Sequence, residues 1–367
     1  MTVINKLELE ATLAMAAPFL MSKSFAPILT HFCFGNNTVV AFNDLQAIEV
    51  KYKNDLNCAL PGGLLIKLLG SLQNNALEIV QKIDETLFKS GKSKFKLPTL
   101  PSEDFIFEMP DTTGCERIRL PLDVISGLSN CLVSTSHDLA KPEINGIRLI
   151  IEKGVLEFFS TDSITLSRFK YSSTNVPKCS IDIIIPAVFC EQLIRLTKTK
   201  PTDVEETAFV EILVSAHSDN LFLVAEIDKN VTIFTRLIDV EEKMNFKDII
   251  SEYEDCLTDW SIIPKEFINI INRACILVSP EDKFPTQLEA KDKSIFIDTQ
   301  SSSGRSDDIL EFDIDIEPGR LKINPESLKR VLNTMSHVSF IFPKNCLAFT
   351  GCNGNFLHIV GAKGMED

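Results

Sequence analysis

IIIPAVFCEQLIRL, residues 183–196, holds three features in order: an isoleucine run, a proline, and an apolar stripe of Phe189, Leu193 and Leu196. The β-branched run favours a strand. Pro186 then opens a helix, because a proline's missing N–H costs nothing in a first helical turn. The same order occurs twice more. CALP (58–61) is followed by Leu64, Leu65, Leu68 and Leu72, and LKINP (321–325) by Leu328, Val331, Leu332 and Met335. Three strand–proline–helix units in corresponding places predict an internal threefold repeat.

Working outward, each unit holds an earlier helix. The stripes are Leu13, Ala17 and Leu20; then Ile125, Leu128 and Leu132 after Pro121; then Phe267, Ile270, Ile271 and Ala274 after Pro264. Each spacing sets one apolar face on a helix. A β meander closes each unit. Residues 76–98 break at Ser90-Gly91-Lys92. Residues 208–238 turn at Ser218-Asp219-Asn220 and Asp228-Lys229-Asn230. Residues 338–361 turn at Pro343-Lys344-Asn345 and Asn353-Gly354-Asn355. These turn signals between alternating runs mark hairpins. The expected fold class is α+β, with three similar domains at 1–115, 118–245 and 253–367, each packing two helices on β-sheets. Residues 108–117 and the acidic 239–259 read as linkers, and 299–308 (TQSSSGRSDD) as a flexible polar loop.

A chain of 367 residues with 44% hydrophobic side chains exceeds one ordinary core, which agrees with several domains. No apolar run reaches the roughly 18 residues of a membrane helix, and the start lacks a signal-peptide pattern, so a cytoplasmic location is expected. The ten cysteines are scattered with no C-x-x-C, which reads as reduced, buried thiols. The five histidines show no ligand spacing, so neither metal nor cofactor is expected.

Net charge is −14. A protein that grips phosphates usually carries a basic surface. Here the cations gather on the predicted helices: Lys23, Lys67, Arg195, Lys198, Lys200, Lys265, Arg273, Lys329 and Arg330. Acids concentrate elsewhere, as in 241–255 and 307–317. If the helices share a face, that face is mildly positive on an acidic molecule. Such a surface suits holding DNA by closure, since a tight phosphate grip would be salt-sensitive and would slow sliding.

SGKSKFKLPTLPSEDFIF (90–107) resembles the end of the first domain of bacterial DNA polymerase III beta subunits, with their T-L-P-x-x-D-F segment. KSFAPIL (23–29) is similar to the family's R-P-x-x-P-I-L element. NGIRLIIEKGVLEFFSTDSITLS (145–167) and IIIPAVFCEQLIRL resemble its N-G-strand-A-T-D-G-H-R-L-A and V-I-V-P-helix stretches. The resemblance covers the whole chain in organisation, with specific motifs in the first two units. It implies a non-enzymatic DNA sliding clamp: a head-to-tail homodimer ring around duplex DNA, with helices lining the hole. It also implies a clamp loader and a tethered DNA polymerase. The implied partner-peptide groove lies between the second and third domains. By position it includes Ile144, Thr161, Asp162, Ser163, Ile164, Thr165, Leu166, Phe246, Ile359 and Val360. Three features depart from the family: Ser163-Ile164-Thr165 stand for Gly-His-Arg, the tail reads GAKGMED, and F-P-x-Y survives only as Phe246-Lys247. These departures fit a divergent or virus-encoded member.

Two other readings compete. A repeat scaffold that binds proteins without encircling DNA is separated from the clamp by oligomeric state, since a stable monomer does not suit a three-unit chain that needs sixfold closure. A metal-dependent nuclease would use Thr161-Asp162, or Asp313, Asp315 and Glu317 on an alternating strand. No P-loop, nucleophile elbow or H-E-x-x-H supports an enzyme.

Overall fold

Alternating apolar residues and tight turns make antiparallel strands the commonest element of the fold. The computed structural model describes residues 2–364 apart from 139, 174–175, 177–178, 199–208, 218–219, 255, 258–259, 280 and 314. Its helices among these are α1 (Lys6–Ala16), α2 (Gly62–Gly70), α3 (Leu122–Cys131), α4 (Ala187–Thr197), α5 (Phe246–Glu254), α6 (Lys265–Leu277) and α7 (Pro325–Leu332).

The three strand–proline–helix units form as the sequence implies. Strands Cys58–Pro61, Ile181–Pro186 and Gly319–Ile323 run into α2, α4 and α7. Phe189, Leu193 and Leu196 are buried on α4; so are Leu328, Val331 and Leu332, with Met335 just beyond α7. On α2 the expected stripe is corrected. Leu65 and Leu69 are buried, whereas Leu64 is 54% exposed. The helix enters directly at Gly62. A Cβ there would lie 2.2 Å from Leu20 Cδ1 and 3.2 Å from the Thr30 carbonyl, so any larger residue would force these neighbours to shift.

The earlier helices also form. Phe267, Ile270, Ile271 and Ala274 are buried on α6, and Ile125 and Leu128 on α3. The first stripe shifts. α1 begins at Lys6 and buries Leu9, Leu13 and Ala16, while residues 17–19 tighten into a 3₁₀ turn. Asn5 caps α1 by accepting from the Leu7 N–H at 3.0 Å. α1 packs on α2, and α6 on α7.

Two expected linker and loop segments are ordered elements. Residues 239–259 contain α5, whose Phe246 and Ile250 are buried. Residues 299–308 belong to a hairpin, Ser294–Ser301 paired with Gly304–Glu311. Arg305 spans Asp298 (3.2 Å) and Asp307 (2.9 Å) across its polar face. Ser218 and Asp219 of one expected turn lie outside the described residues.

Among the described residues the strands form four sheets of four, nine, eight and five strands. By compactness the chain divides into residues 1–122 with 191–237, and residues 123–190 with 238–367. The middle repeat contributes strands to both. In the first unit, strand Gln46–Lys51 pairs with Val231–Arg236 inside the nine-stranded sheet. In the second unit, strand Thr165–Ser172 pairs with Phe356–Gly361 inside the eight-stranded sheet. Each pairing is a seam between successive repeats.

The ten cysteines form no disulfide. Cys58, Cys131, Cys190 and Cys346 are buried, but Cys352 is exposed, against the expectation of buried thiols throughout.

Candidate DNA-facing and partner-binding sites

The second seam is built from a hairpin and a distant strand. Strand Val155–Thr161 ends in a turn that Asp162 closes. Its Oδ1 accepts from the backbone N–H of Ile164 (3.0 Å) and Thr165 (2.6 Å) and from the Thr165 hydroxyl (3.0 Å). Ser163 takes the left-handed region, φ 76°. The chain then pairs Thr165 with Val360 and Leu166 with Ile359. The Gly361 N–H donates to the Ile164 carbonyl at 2.8 Å, so close that a Cβ on Gly361 would lie 2.9 Å from that oxygen.

Strand alternation divides the expected groove residues between two faces of this sheet. Leu166 and Ile359 join Phe159, Phe246 and Ile250 in one buried cluster. Phe159 and Phe246 stack with ring centroids 5.4 Å apart. Thr165 and Val360 are buried on the other face, where the Thr165 hydroxyl lies 3.0 Å from Ser134 Oγ. Ile144 is also buried, just before strand Gly146–Glu152. Thr161 is buried and donates to the Thr165 carbonyl at 2.6 Å. Of the ten residues, Ser163 and Ile164 are exposed, Ile164 at 53%, and Asp162 is half-buried.

The strap that brings Phe246 onto this seam has its own anchor. Arg148 grips Asp182 bidentately at 2.7 and 2.8 Å and donates its remaining arm to the Met244 carbonyl. Lys243 approaches the same carboxylate at 3.4 Å. Partial burial opposes the Asp182 charge, but the Arg148 and Lys243 cations still hold its carboxyl below the usual range. This arrangement was not read from the sequence. Phe246, Ile250 and Tyr253 at i, i+4 and i+7 were its only signal.

A polar core lies one pair further along. Ser167 pairs with His358, and Ser167 Oγ lies 2.8 Å from both His358 Nδ1 and Ser134 Oγ. His358 is almost fully buried, and burial pushes its imidazole down to about 3.

The nine predicted DNA-facing cations separate into groups. Lys23, Lys67, Lys198, Lys265 and Arg330 are exposed. Arg195 is half-buried and bonds Gln192 (2.8 Å) and the Met15 carbonyl (2.9 Å), so it clasps α4 to the end of α1. Arg273 bonds Asp308 at 2.5 Å, and Lys329 lies 3.5 Å from Glu326. Lys200 lies outside the described residues.

The carboxylates proposed for a nuclease are not on a strand. Asp313, Asp315 and Glu317 lie in the segment between strands Gly304–Glu311 and Gly319–Ile323. Among the described residues no group of three His, Cys, Asp or Glu side chains could hold a metal ion.

With the fold and seams defined, comparison with known proteins gives their class. The chain superimposes on the DNA polymerase sliding clamp of Bacillus subtilis with a TM-score of 0.82, 20% identity and 99% of each chain covered. This is the sliding-clamp fold over the full length. In sequence it is 23% identical to the beta sliding clamp of Chlamydia muridarum over 212 residues, 55% of this chain and 57% of that protein. The match thus spans little more than half of that relative's length. It is 22% identical to the beta sliding clamp of Helicobacter pylori over 363 residues, covering 93% of this chain and 90% of that one. No family model matches. The resemblance to the bacterial DNA polymerase III beta subunit that the sequence carried is borne out.

Proposed function

We propose that this chain is a DNA sliding clamp, a non-enzymatic processivity factor that closes around duplex DNA as a head-to-tail homodimer. The reading takes the chain as three clamp domains, 1–115, 118–245 and 253–367, so that a dimer supplies six. The observation that carries it is the full-length likeness to a clamp fold at a TM-score of 0.82. Seven exposed cations on or beside repeated helices, two of them (Arg273 and Lys329) ion-paired, support a mildly basic lining on a molecule of net charge −14. Few strong phosphate contacts are then needed, because a closed ring leaves DNA only by opening.

Its partners in this reading are duplex DNA, a second copy of the chain, a clamp loader and a replicative DNA polymerase. The polymerase peptide would lie along the second seam, with Ile164 at the exposed tip and the Leu166, Phe246 and Ile359 cluster beneath. An apolar floor with a few polar handles suits a short linear motif. A cytoplasmic location follows from work on chromosomal DNA, and no described helix is long and apolar enough to cross a membrane. Sedimentation should give twice the chain mass of 41.0 kDa. A monomer at all concentrations would contradict the ring and favour a scaffold.

A further inference from the structure

The first seam repeats the backbone turn and strand pairing of the second. Asn43 stands where Asp162 stands, and its Oδ1 accepts from the N–H of Leu45 (3.2 Å) and Gln46 (2.9 Å). Asp44 takes the left-handed region at φ 75°, as Ser163 does at 76°. The Arg236 N–H donates to the Leu45 carbonyl at 3.0 Å, as Gly361 does to Ile164. Ala47 pairs with Phe234 as Leu166 pairs with Ile359. A covering segment is present too. Phe107 stacks on Phe42 (4.6 Å) and approaches Phe234 (5.1 Å), much as Phe246 stacks on Phe159.

Beside Phe107 this seam opens into a cavity of about 630 Å³. Its walls are Phe42, Phe107, Phe222 and Phe234, with Leu221 and Ile106 at the sides. Ile106 is 62% exposed. Four charged residues line it: the acids Asp44, Glu108 and Asp111 against one cation, Arg236, which lies 3.9 Å from Asp44. Hydrogen bonds from the Thr113 hydroxyl and backbone N–H keep the Asp111 carboxyl below its usual range, so it stays charged near neutrality.

We infer that this pocket is a second partner-docking site, taking a linear peptide whose apolar side chain is flanked by lysine or arginine. The volume and aromatic walls suit one or two apolar side chains. Phenylalanine faces also attract a neighbouring cation, and the carboxylate excess at the rim disfavours an acidic peptide. The site is distinct from the groove proposed above and needs no DNA, so its test is independent of ring closure.

The probes are two fluorescein-labelled peptides, Lys-Leu-Phe-Lys and Glu-Leu-Phe-Glu, followed by anisotropy on the full chain. The basic peptide should bind at least tenfold more tightly than the acidic one, and more weakly as salt rises. Ile106→Arg, at an exposed position, should weaken it at least tenfold without lowering the thermal midpoint. Glu108→Lys should weaken it severalfold. No saturable binding of the basic peptide, equal binding of the two peptides, or unchanged binding in Ile106→Arg overturns the proposal. So does loss of binding in Ile164→Asp, which would put the peptide at the other seam.

Discussion

The seam at residues 43–47 and the seam at residues 162–166 share a backbone and differ in what lies beneath and above it. At the first, the position one pair beyond the floor is Ile48 against Ile233, both buried and apolar. At the second it is Ser167 against His358, bonded to each other and to Ser134. Above the floor, the first seam keeps an open aromatic cavity beside Phe107. At the second, Phe246 and Ile250 close over Phe159 and Leu166, with the strap fastened by Arg148. One turn chemistry therefore supports two surfaces: an open acidic-rimmed pocket, and a covered cluster on a polar, titratable base. The repeat fixes main-chain geometry, and side-chain choice fixes what each seam can hold.

The largest expected contrast comes from truncating the aromatic floors. Phe159→Ala should cost about 4 kcal/mol, since it leaves a closed void under Phe246. Phe42→Ala should cost less, about 3 kcal/mol, because the adjoining cavity is already open to solvent. Urea midpoints measure both, and equal losses would remove the distinction between covered and open seams.

Next is the strap anchor. Arg148→Ala strands the Asp182 carboxylate and should cost about 2 kcal/mol, allowing for the exposed side of that carboxylate. Hydrogen exchange should quicken across residues 243–250 and stay unchanged across 102–111. Uniform quickening of both segments would contradict a local clasp.

The smallest effect near neutrality is acid sensitivity. His358 takes up a proton near 6.5 when unfolded but only near 3 when folded. The unfolded chain therefore binds more protons between those values, and stability falls as pH drops below about 6.5. At pH 5 this amounts to on the order of 2 kcal/mol. His358→Asn should flatten the loss between pH 7 and 5, whereas Ile233→Val at the matching position should leave its slope unchanged. An identical pH slope in His358→Asn would show that the buried imidazole does not set it.

The strand–proline–helix units were legible because their signal is local: a short strand, a proline and a stripe within fifteen residues. α2 misled because Leu64, Leu65, Leu68 and Leu69 offer two leucine faces, and only the Gly62 entry selects the buried one. α5 was hidden by the acids around Phe246 and Ile250. The hairpin at 294–311 was hidden by polar side chains that pair with each other across its strands. The candidate groove was legible from its own residues only as a turn around Asp162, and Ile359 and Val360 entered it through the family resemblance alone. Its partner strand lies nearly two hundred residues away, and register there is set by tertiary pairing. The aromatic pocket at the first seam was invisible for the same reason, since Phe42, Phe107 and Phe222 meet only in the folded sheet.

Retention on DNA tests the central claim most directly. Protein loaded onto nicked circular duplex should stay bound through a wash at high salt, then slide off once the circle is cut at one site. Salt-sensitive loss at equal rates from circular and linear DNA would contradict a clamp that holds its substrate by closure.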